Sequence, residues 1–430
     1  MLSERDNETF TRVGPGTPMG TLLRRYWHPV AVLDEMRNRW TKRVGILGES
    51  LVLFKDRTGK YGLIGESCPH RRASMAYGIP TATGLRCPYH GWEFDGTGRC
   101  LEMPNEPEGS TFKDKVSLPG YPVQELGGLL WGYLGPQPAP FIPRLDGFVD
   151  APAIRMCGKT TVRCNWLQIM ENSLDPVHTE WLHGKLYEFY KEQRGEPTSV
   201  AIARHHAKIA FDEFPYGIVK RRLMEGQSED CSDWRDGHPV VFPNILAVGS
   251  GGGLWKSYAF QIRVPIDDAT TDHYWYNAFI PPKRARVPVH LLDNCTSYDA
   301  PQRGPDGEYL LEYIYAQDVY AWETQGAIAQ RDHEALGTTD AGIIMYRKML
   351  QRELAKIERG EDPMCVIRDP AQNRRIDLPL EVGKDMLSDG FESLVRRSPA
   401  DRAPFRDEML AVFRSVHQPR RPKAAYAATV

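Results

Sequence analysis

The feature that most constrains this chain is a pair of short motifs, Cys68-Pro69-His70 and Cys87-Pro88-Tyr89-His90, a C-x-H and a C-x-x-H separated by sixteen residues. Each puts one thiolate and one imidazole on a tight loop. Two such loops facing each other hold a compact metal centre, and thiolate softness narrows the metal to zinc or an iron–sulfur cluster. A Cys₂His₂ zinc staple pairs like with like, C-x-x-C and then H-x₃₋₅-H. Here Cys and His alternate across a turn-rich stretch, which favours a [2Fe–2S] cluster with two thiolates on one iron and two imidazoles on the other. Around these loops the sequence predicts a small all-β domain. Leu51–Lys55 and Lys60–Ile64 flank the turn Asp56-Arg57-Thr58-Gly59, Asp95-Gly96-Thr97-Gly98 turns the chain again, and Leu129–Leu134 reads as the closing strand.

At 430 residues the chain has room for a second domain beyond the proline-rich boundary at residues 135–140. There Tyr258, Phe260, Ile262 and Val264 alternate with polar residues, and Tyr274–Ile280 follows as a second strand. Helical periodicity marks Glu308–Gln325 and Asp340–Arg359, and the tail from Pro419 reads as frayed. Lys plus Arg number 54 against 56 for Asp plus Glu, a net charge of −2 that argues against a nucleic-acid binder held by bulk electrostatics. The N-terminus lacks the apolar stretch of a secretory signal and no apolar run is long enough to span a bilayer, so a cytoplasmic protein with no membrane partner is expected. The eight cysteines are too dilute for a disulfide scaffold, and Cys100, Cys157, Cys164, Cys231, Cys295 and Cys365 read as buried thiols. Gly249-Ser250-Gly251-Gly252-Gly253 lacks the Lys-Ser/Thr of a phosphate loop and reads as a flexible hairpin loop.

The second chemical constellation lies in residues 165–184, where apolar positions suggest a helix with Asn172, Asp175 and His178 spaced by three on one face. His183 comes five residues after His178, out of phase with an ideal helix, so the helix must end or bulge between them. Two neutral histidines with one carboxylate form the facial triad of non-haem Fe(II) oxygenases, which leaves positions open for O₂. The zinc-protease pattern H-E-x-x-H is absent.

C-x-H-x₁₆-C-x-x-H followed about 80 residues later by N-x-x-D-x-x-H-x₄-H resembles the large (α) subunit of Rieske non-haem iron oxygenases along nearly the whole chain. The resemblance implies an α+β protein: an N-terminal all-β Rieske domain, then a helix-grip (START-like) catalytic domain whose antiparallel sheet wraps a helix. The expected division is an N-terminal segment, 1–42, packing on the catalytic domain, a Rieske domain at 43–150 and a catalytic domain at 151–430. Cys68, His70, Cys87 and His90 would hold the cluster, and His178 and His183 a mononuclear Fe(II). The third ligand would be Asp318, in Asp318-Val-Tyr-Ala-Trp-Glu323, in preference to Asp332 or Asp340. Asp175 would bridge an iron-ligand histidine to His90 of a neighbouring subunit, coupling the centres across a homotrimer, and Asn172 would line the site.

Thr11–Pro29 looks most like the phthalate dioxygenase and aryl O-demethylase branch, with Arg72 a departure where many relatives carry Gly. With no G-x-G-x-x-G and no second ferredoxin motif, electrons are expected from a separate NAD(P)H-dependent reductase. The implied activity is O₂-dependent hydroxylation or O-demethylation of a small aromatic compound, carboxylated and of lignin-derived type. cis-Dihydroxylation of a phthalate-type ring is the alternative. A Rieske electron carrier or zinc-stapled binding protein is the reading from another class. Arg221 and Arg222 are candidates to pair a substrate carboxylate, although a solvated basic face is the commoner meaning of such a pair. Arg204-His205-His206 carries no assignment. Arg71, Arg72 and Arg86 crowd the cluster loops, where an acidic reductase face could dock.

Overall fold

Two short helices open the chain, each capped as its sequence dictates. In α1 (Glu4–Thr11) the Ser3 hydroxyl accepts from the Asp6 amide, and in α2 (Pro18–Leu23) Thr17 accepts from Gly20 with Pro18 in the first turn. The computed structural model describes residues 2–197, 201–248, 255–292, 294–381 and 403–417. The glycine run at 249–253 and the tail from Pro419 lie outside them.

After β1 (Trp27–Val32), strands β2 (Thr41–Ile46), β3 (Glu49–Lys55) and β4 (Tyr61–Gly65) form an antiparallel meander. The β3–β4 turn is the expected one: the Asp56 carboxylate accepts from the Thr58 and Lys60 amides, and Gly59 takes φ 92°. β5 (Ile79–Pro80), β6 (Leu85–Arg86), β7 (Glu93–Phe94) and β8 (Cys100–Glu102) make a second small sheet. β9 (Gly120–Tyr121) then returns to pair with β4. β10 (Val123–Leu126) and β11 (Leu129–Tyr133) follow, and β1 pairs with β11 from Trp27↔Tyr133 to Val32↔Leu129. The core of this β unit is Val52, Phe54, Ile64, Met75, Leu85, Trp92 and Phe94, and Cys68 and Cys87 are buried in it.

A short helix, α3 (Asp146–Val149), leads into β12 (Ile154–Val162) and α4 (Trp166–Asn172). A π-helix (Thr179–Lys185) runs into α5 (Leu186–Gln193). β13 (His206–Phe214) and β14 (Gly217–Met224) precede α6 (Ser232–Arg235), then β15 (His238–Val241), β16 (Ile245–Val248), β17 (Lys256–Pro265) and β18 (Thr271–Ile280). α7 (Val289–Leu292), β19 (Cys295–Tyr298), α8 (Ile314–Glu323), α9 (Ala341–Glu358) and a C-terminal helix (Ala403–His417) complete the chain. One eight-stranded sheet has the order β13-β14-β15-β16-β17-β18-β12-β19. It is antiparallel, as expected of the fold, except that the edge strand β19 runs parallel to β12. α8 begins later than its periodicity suggested, because residues 303–309 close a turn at Gly307 (φ 86°) with an Arg303↔Tyr309 bridge.

Cross-strand partners share a face. Tyr258, Phe260, Ile262 and Val264 therefore point into the main core. The pairs Lys220↔His238, Val240↔Leu246, Leu246↔Gln261, Gln261↔Trp275 and Arg263↔His273 line the opposite face. α8 covers that face, with Trp322 stacked at 5.4 Å over His273.

Candidate active site

The two cysteine–histidine loops join β4 to β5 and β6 to β7, and they fold alike. Cys68 donates its amide to Ala73 O while Arg72 donates to Cys68 O; Cys87 donates to Trp92 O while Gly91 donates to Cys87 O. The cysteines are 1% and 2% exposed, whereas His70 is exposed and His90 half-buried. The imidazoles lie 4.4 Å apart, and His70 stacks on Trp92 at 4.6 Å. Burial, with the neighbouring Cys87, pushes the Cys68 thiol up to about 11. A thiol packed out of water, as Cys68 is, is a poor acid alone but becomes a good ligand when a cation takes up its charge. The four side chains therefore fit an iron–sulfur group.

Of the other arginines near these loops, Arg86 is ion-paired with Glu93 and Glu102. Arg71 lies over the Tyr89 ring, and Arg72 occupies the left-handed region at φ 63°. The other six cysteines are free, with Cys231 and Cys365 only partly buried.

The second constellation departs from a continuous helix. α4 ends at Asn172, because Pro176 biases Asp175 away from helical backbone. The Asp175 carboxylate then caps a new turn, accepting from the Val177 and His178 amides at 2.9 and 3.2 Å. Asn172, Asp175 and His178 thus do not share one helix face, whereas the bulge expected before His183 is present as the π-helix. Its i→i+5 turns bring residues five apart to one side, and the rings of His178 and His183 stand 5.2 Å apart.

Asp318, on α8, completes the group: its Oδ1 lies 3.2 Å from His183 Nε2 and 3.9 Å from His178 Nε2. These three side chains could hold a metal ion. Both histidines offer the same nitrogen for it. His178 Nδ1 is held by the Asp175 carbonyl, and His183 Nδ1 lies 2.8 Å from Gln317 Oε1. Gln317 Nε2 donates to Leu311 O, so its oxygen must face His183 and hold the proton on Nδ1. Burial and the neighbouring His183 lower His178 to about 3, leaving it neutral. For His183 burial works the same way, but Asp318 outweighs it and raises the pKa. Asp318 Oδ1 is buried without a hydrogen bond of its own. Two imidazoles with oriented Nε2 atoms and an unsatisfied carboxylate oxygen suit a divalent transition metal.

Gln317 escaped sequence reasoning, although adjacency to Asp318 is a usable signal. The unassigned Arg204-His205-His206 contributes a clamp: Glu180, in the π-helix, accepts from the His206 amide at 2.9 Å and meets both histidine rings. Arg221 and Arg222 do not form a carboxylate fork. Arg221 pairs with Asp212 and donates to the Trp234 carbonyl, while Arg222 contacts Asp233 and Thr179. Asp233 and Glu381 also share His238, each 3.1 Å from its Nε2.

Fold and site together define an iron–sulfur oxidoreductase whose β domain adjoins a helix-grip domain. The Rieske [2Fe-2S] domain family matches residues 26–122, and the family described as LigXa C-terminal domain like matches 305–376. The 5,5'-dehydrodivanillate O-demethylase oxygenase subunit of Sphingobium sp. (strain NBRC 103272 / SYK-6) is 42% identical, over 91% of this chain and 89% of its own. The phthalate 4,5-dioxygenase oxygenase subunit of Pseudomonas putida is 30% identical over 90% and 94%. The solved structure of Pseudomonas putida CBB5 NdmA shares the fold at TM-score 0.58 and 20% identity, over 83% of this chain and 94% of that one. The chain belongs to the Rieske non-haem iron oxygenases, in the α-subunit branch of phthalate dioxygenase and the aryl O-demethylases. It is an O₂-dependent oxygenase component supplied with electrons by a separate protein. Among the described residues no helix is long and apolar enough to cross a membrane.

Proposed function

We propose that this oxygenase component hydroxylates or O-demethylates a carboxylated aromatic compound of lignin-derived type, with His178, His183 and Asp318 holding one mononuclear Fe(II). The observation that carries the reading is the convergence of two tautomer-fixed histidines on the unsatisfied oxygen of Asp318. Cys68, His70, Cys87 and His90 hold the [2Fe–2S] cluster. The iron supplies an electron-rich centre for O₂, while the protein's own work is orientation. Gln317 and the Asp175 carbonyl fix the two rings. Asn172 lines the site from the end of α4.

Asp175, whose carboxylate burial raises above the usual range, couples the site to His90 of a neighbouring subunit in a homotrimer. The cluster unit at 43–150 and the catalytic unit at 151–430 are tied by segment 1–42, and the protein works in the cytoplasm, where its free cysteines stay reduced. O-Demethylation takes precedence because the 42% identical relative is an O-demethylase subunit; the phthalate 4,5-dioxygenase relative keeps cis-dihydroxylation as the second reading.

The test is turnover of methoxylated and carboxylated aromatics with a surrogate NAD(P)H reductase. Formaldehyde release with about three irons per chain supports O-demethylation. A cis-diol shifts the reading to ring dihydroxylation, and zinc without visible absorbance overturns the metal assignment.

A further inference from the structure

A row of four aromatic rings lies between the large sheet and the inner side of α8. Trp322 follows Asp318 by four residues and Tyr315 precedes it by three, so both share its side of the helix. His273 and Trp275 face them from β18. Trp322 stacks on His273 with centroids 5.4 Å apart and planes at 16°, and His273 lies on Trp275 at 3.9 Å and 30°. Trp275 then meets Tyr315 at 4.1 Å and 34°, and stands 6.3 Å from Trp322. Trp322 and His273 are 0% exposed and Trp275 2%, whereas Tyr315 is half-buried and gives the row its outer end.

Packing alone does not call for this set. His273 Nδ1 and Nε2, Trp275 Nε1 and Trp322 Nε1 are all buried without a hydrogen-bond partner, four polar atoms in one stack. Phenylalanine or leucine would fill the same core with none of them, and each orphaned group costs stability. Burial, with the charge of Arg263, holds His273 well below its usual pKa, so its imidazole is neutral. Indole and phenol, by contrast, give up an electron more readily than any other side chain but a thiolate or phenolate, and rings in contact exchange one quickly. Unsatisfied buried rings beside a metal-ligating carboxylate fit a redox role.

We propose that Trp322, Trp275 and Tyr315, with His273 as a neutral spacer, form an electron relay that quenches oxidant at the mononuclear iron when no substrate is bound. The relay spares the ligands His178, His183 and Asp318. This inference rests on the iron reading of those three side chains and gives the site a second task, self-protection. The co-reactants are hydrogen peroxide and a soluble thiol. Peroxide takes one electron from ferrous iron and one from Tyr315 by way of Trp275, and the Tyr315 phenol releases its proton. With one further proton from solvent, the products are two waters, ferric iron and a Tyr315 phenoxyl radical. The thiol returns a hydrogen atom to Tyr315, thiyl radicals couple to a disulfide, and the separate electron supply restores ferrous iron.

The test mixes iron-loaded, substrate-free protein with hydrogen peroxide, freezes it for electron paramagnetic resonance and maps oxidised residues by peptide mass spectrometry. The wild type should show a tyrosyl radical, with oxidation concentrated on Tyr315, Trp275 and Trp322. In Trp275→Phe the radical should be lost, and oxidation should move to His178 and His183 with loss of mononuclear iron. Trp275→Tyr, which restores an oxidisable ring, should recover a radical and protect the histidines. Asp318→Ala, once shown to lack the mononuclear iron, should give no radical. Absence of a radical in the wild type, an undiminished one in Trp275→Phe, or one that persists in iron-depleted Asp318→Ala overturns the proposal. Should Trp275→Phe fail to fold, Tyr315→Phe decides: loss of the tyrosyl signal supports the relay and a retained signal overturns it. Failure of the iron reading looks different: Asp318→Ala keeps its full iron content, or no aromatic is oxygenated with a reductase present, while peroxide still raises the wild-type radical.

Discussion

Arg72 shows how one residue can depart from its surroundings. Its φ of 63° is a conformation that a β-carbon disfavours and a glycine adopts freely. Arg72→Gly is therefore expected to stabilise the protein by about 1 kcal/mol in thermal or urea denaturation; a loss of stability would show that the guanidinium makes a contact worth more than the strain. Gln317→Leu removes the acceptor that fixes His183. It should weaken mononuclear iron binding about 10–100-fold while the cluster's visible absorbance persists, and unchanged iron content would deny Gln317 a positioning role. The ligand set was legible because Cys, His and Asp in those spacings have few other uses. Gln317 was not, being a neutral amide with many. Nor were the partners of Arg221 and Arg222: a sequence displays charges, but not which of them the folded chain has already neutralised.

At the scale of elements, the π-helix decides whether a site exists. The five-residue step from His178 to His183 signalled a break in phase but not which irregular helix would follow, and the earlier stop of α4 at Asn172, ahead of Pro176, was not anticipated. Which irregular helix forms depends on packing against Ala203, in the short turn Ala201–Ala203. A β-carbon on Gly184 would meet Ala203 Cα at 2.5 Å, a backbone atom that cannot swing aside. Gly184→Ala is expected to cost about 1–3 kcal/mol and to lower mononuclear iron content, with the cluster intact; normal iron would show that the turn tolerates displacement. Asp175 has two separable duties here. Asp175→Asn keeps the cap on Val177 and His178 and should retain both metal centres while turnover falls, whereas Asp175→Ala should lose about 1 kcal/mol of stability as well. Near-normal turnover in Asp175→Asn would count against the electron route through this residue.

For the molecule as a whole, the N-terminal segment is the tie. α1 and its flanks bind the second domain through Asn7 to Ala329 and Arg12 to Asp268, whereas β1 completes a sheet with β11. Periodicity could announce both domains but not this double allegiance, since strand partners far apart in sequence leave no local mark. His28 sits at the junction, 0% exposed, with Nε2 2.8 Å from Leu23 O and Nδ1 3.3 Å from Asn244 Nδ2. Burial lowers its pKa from 6.5 to about 4. The folded chain therefore resists a proton that the unfolded chain accepts, so stability is full above pH 6.5 and erodes as pH falls towards 4. The loss traceable to His28 is about 3 kcal/mol. Urea denaturation at pH 7 and pH 4.5 should show a smaller acid penalty in His28→Gln than in the wild type; equal penalties would place the sensitivity elsewhere, with His178 and His273 acting in the same direction.

The burial of Cys68 and Cys87 against the exposure of His70 has a consequence for traffic. A redox group seated there would be insulated on its sulfur side and would meet solvent on its imidazole side, where His70 stacks on Trp92 and His90 lies against Tyr89. A partner exchanging electrons with it would therefore approach the histidines and not the thiolates.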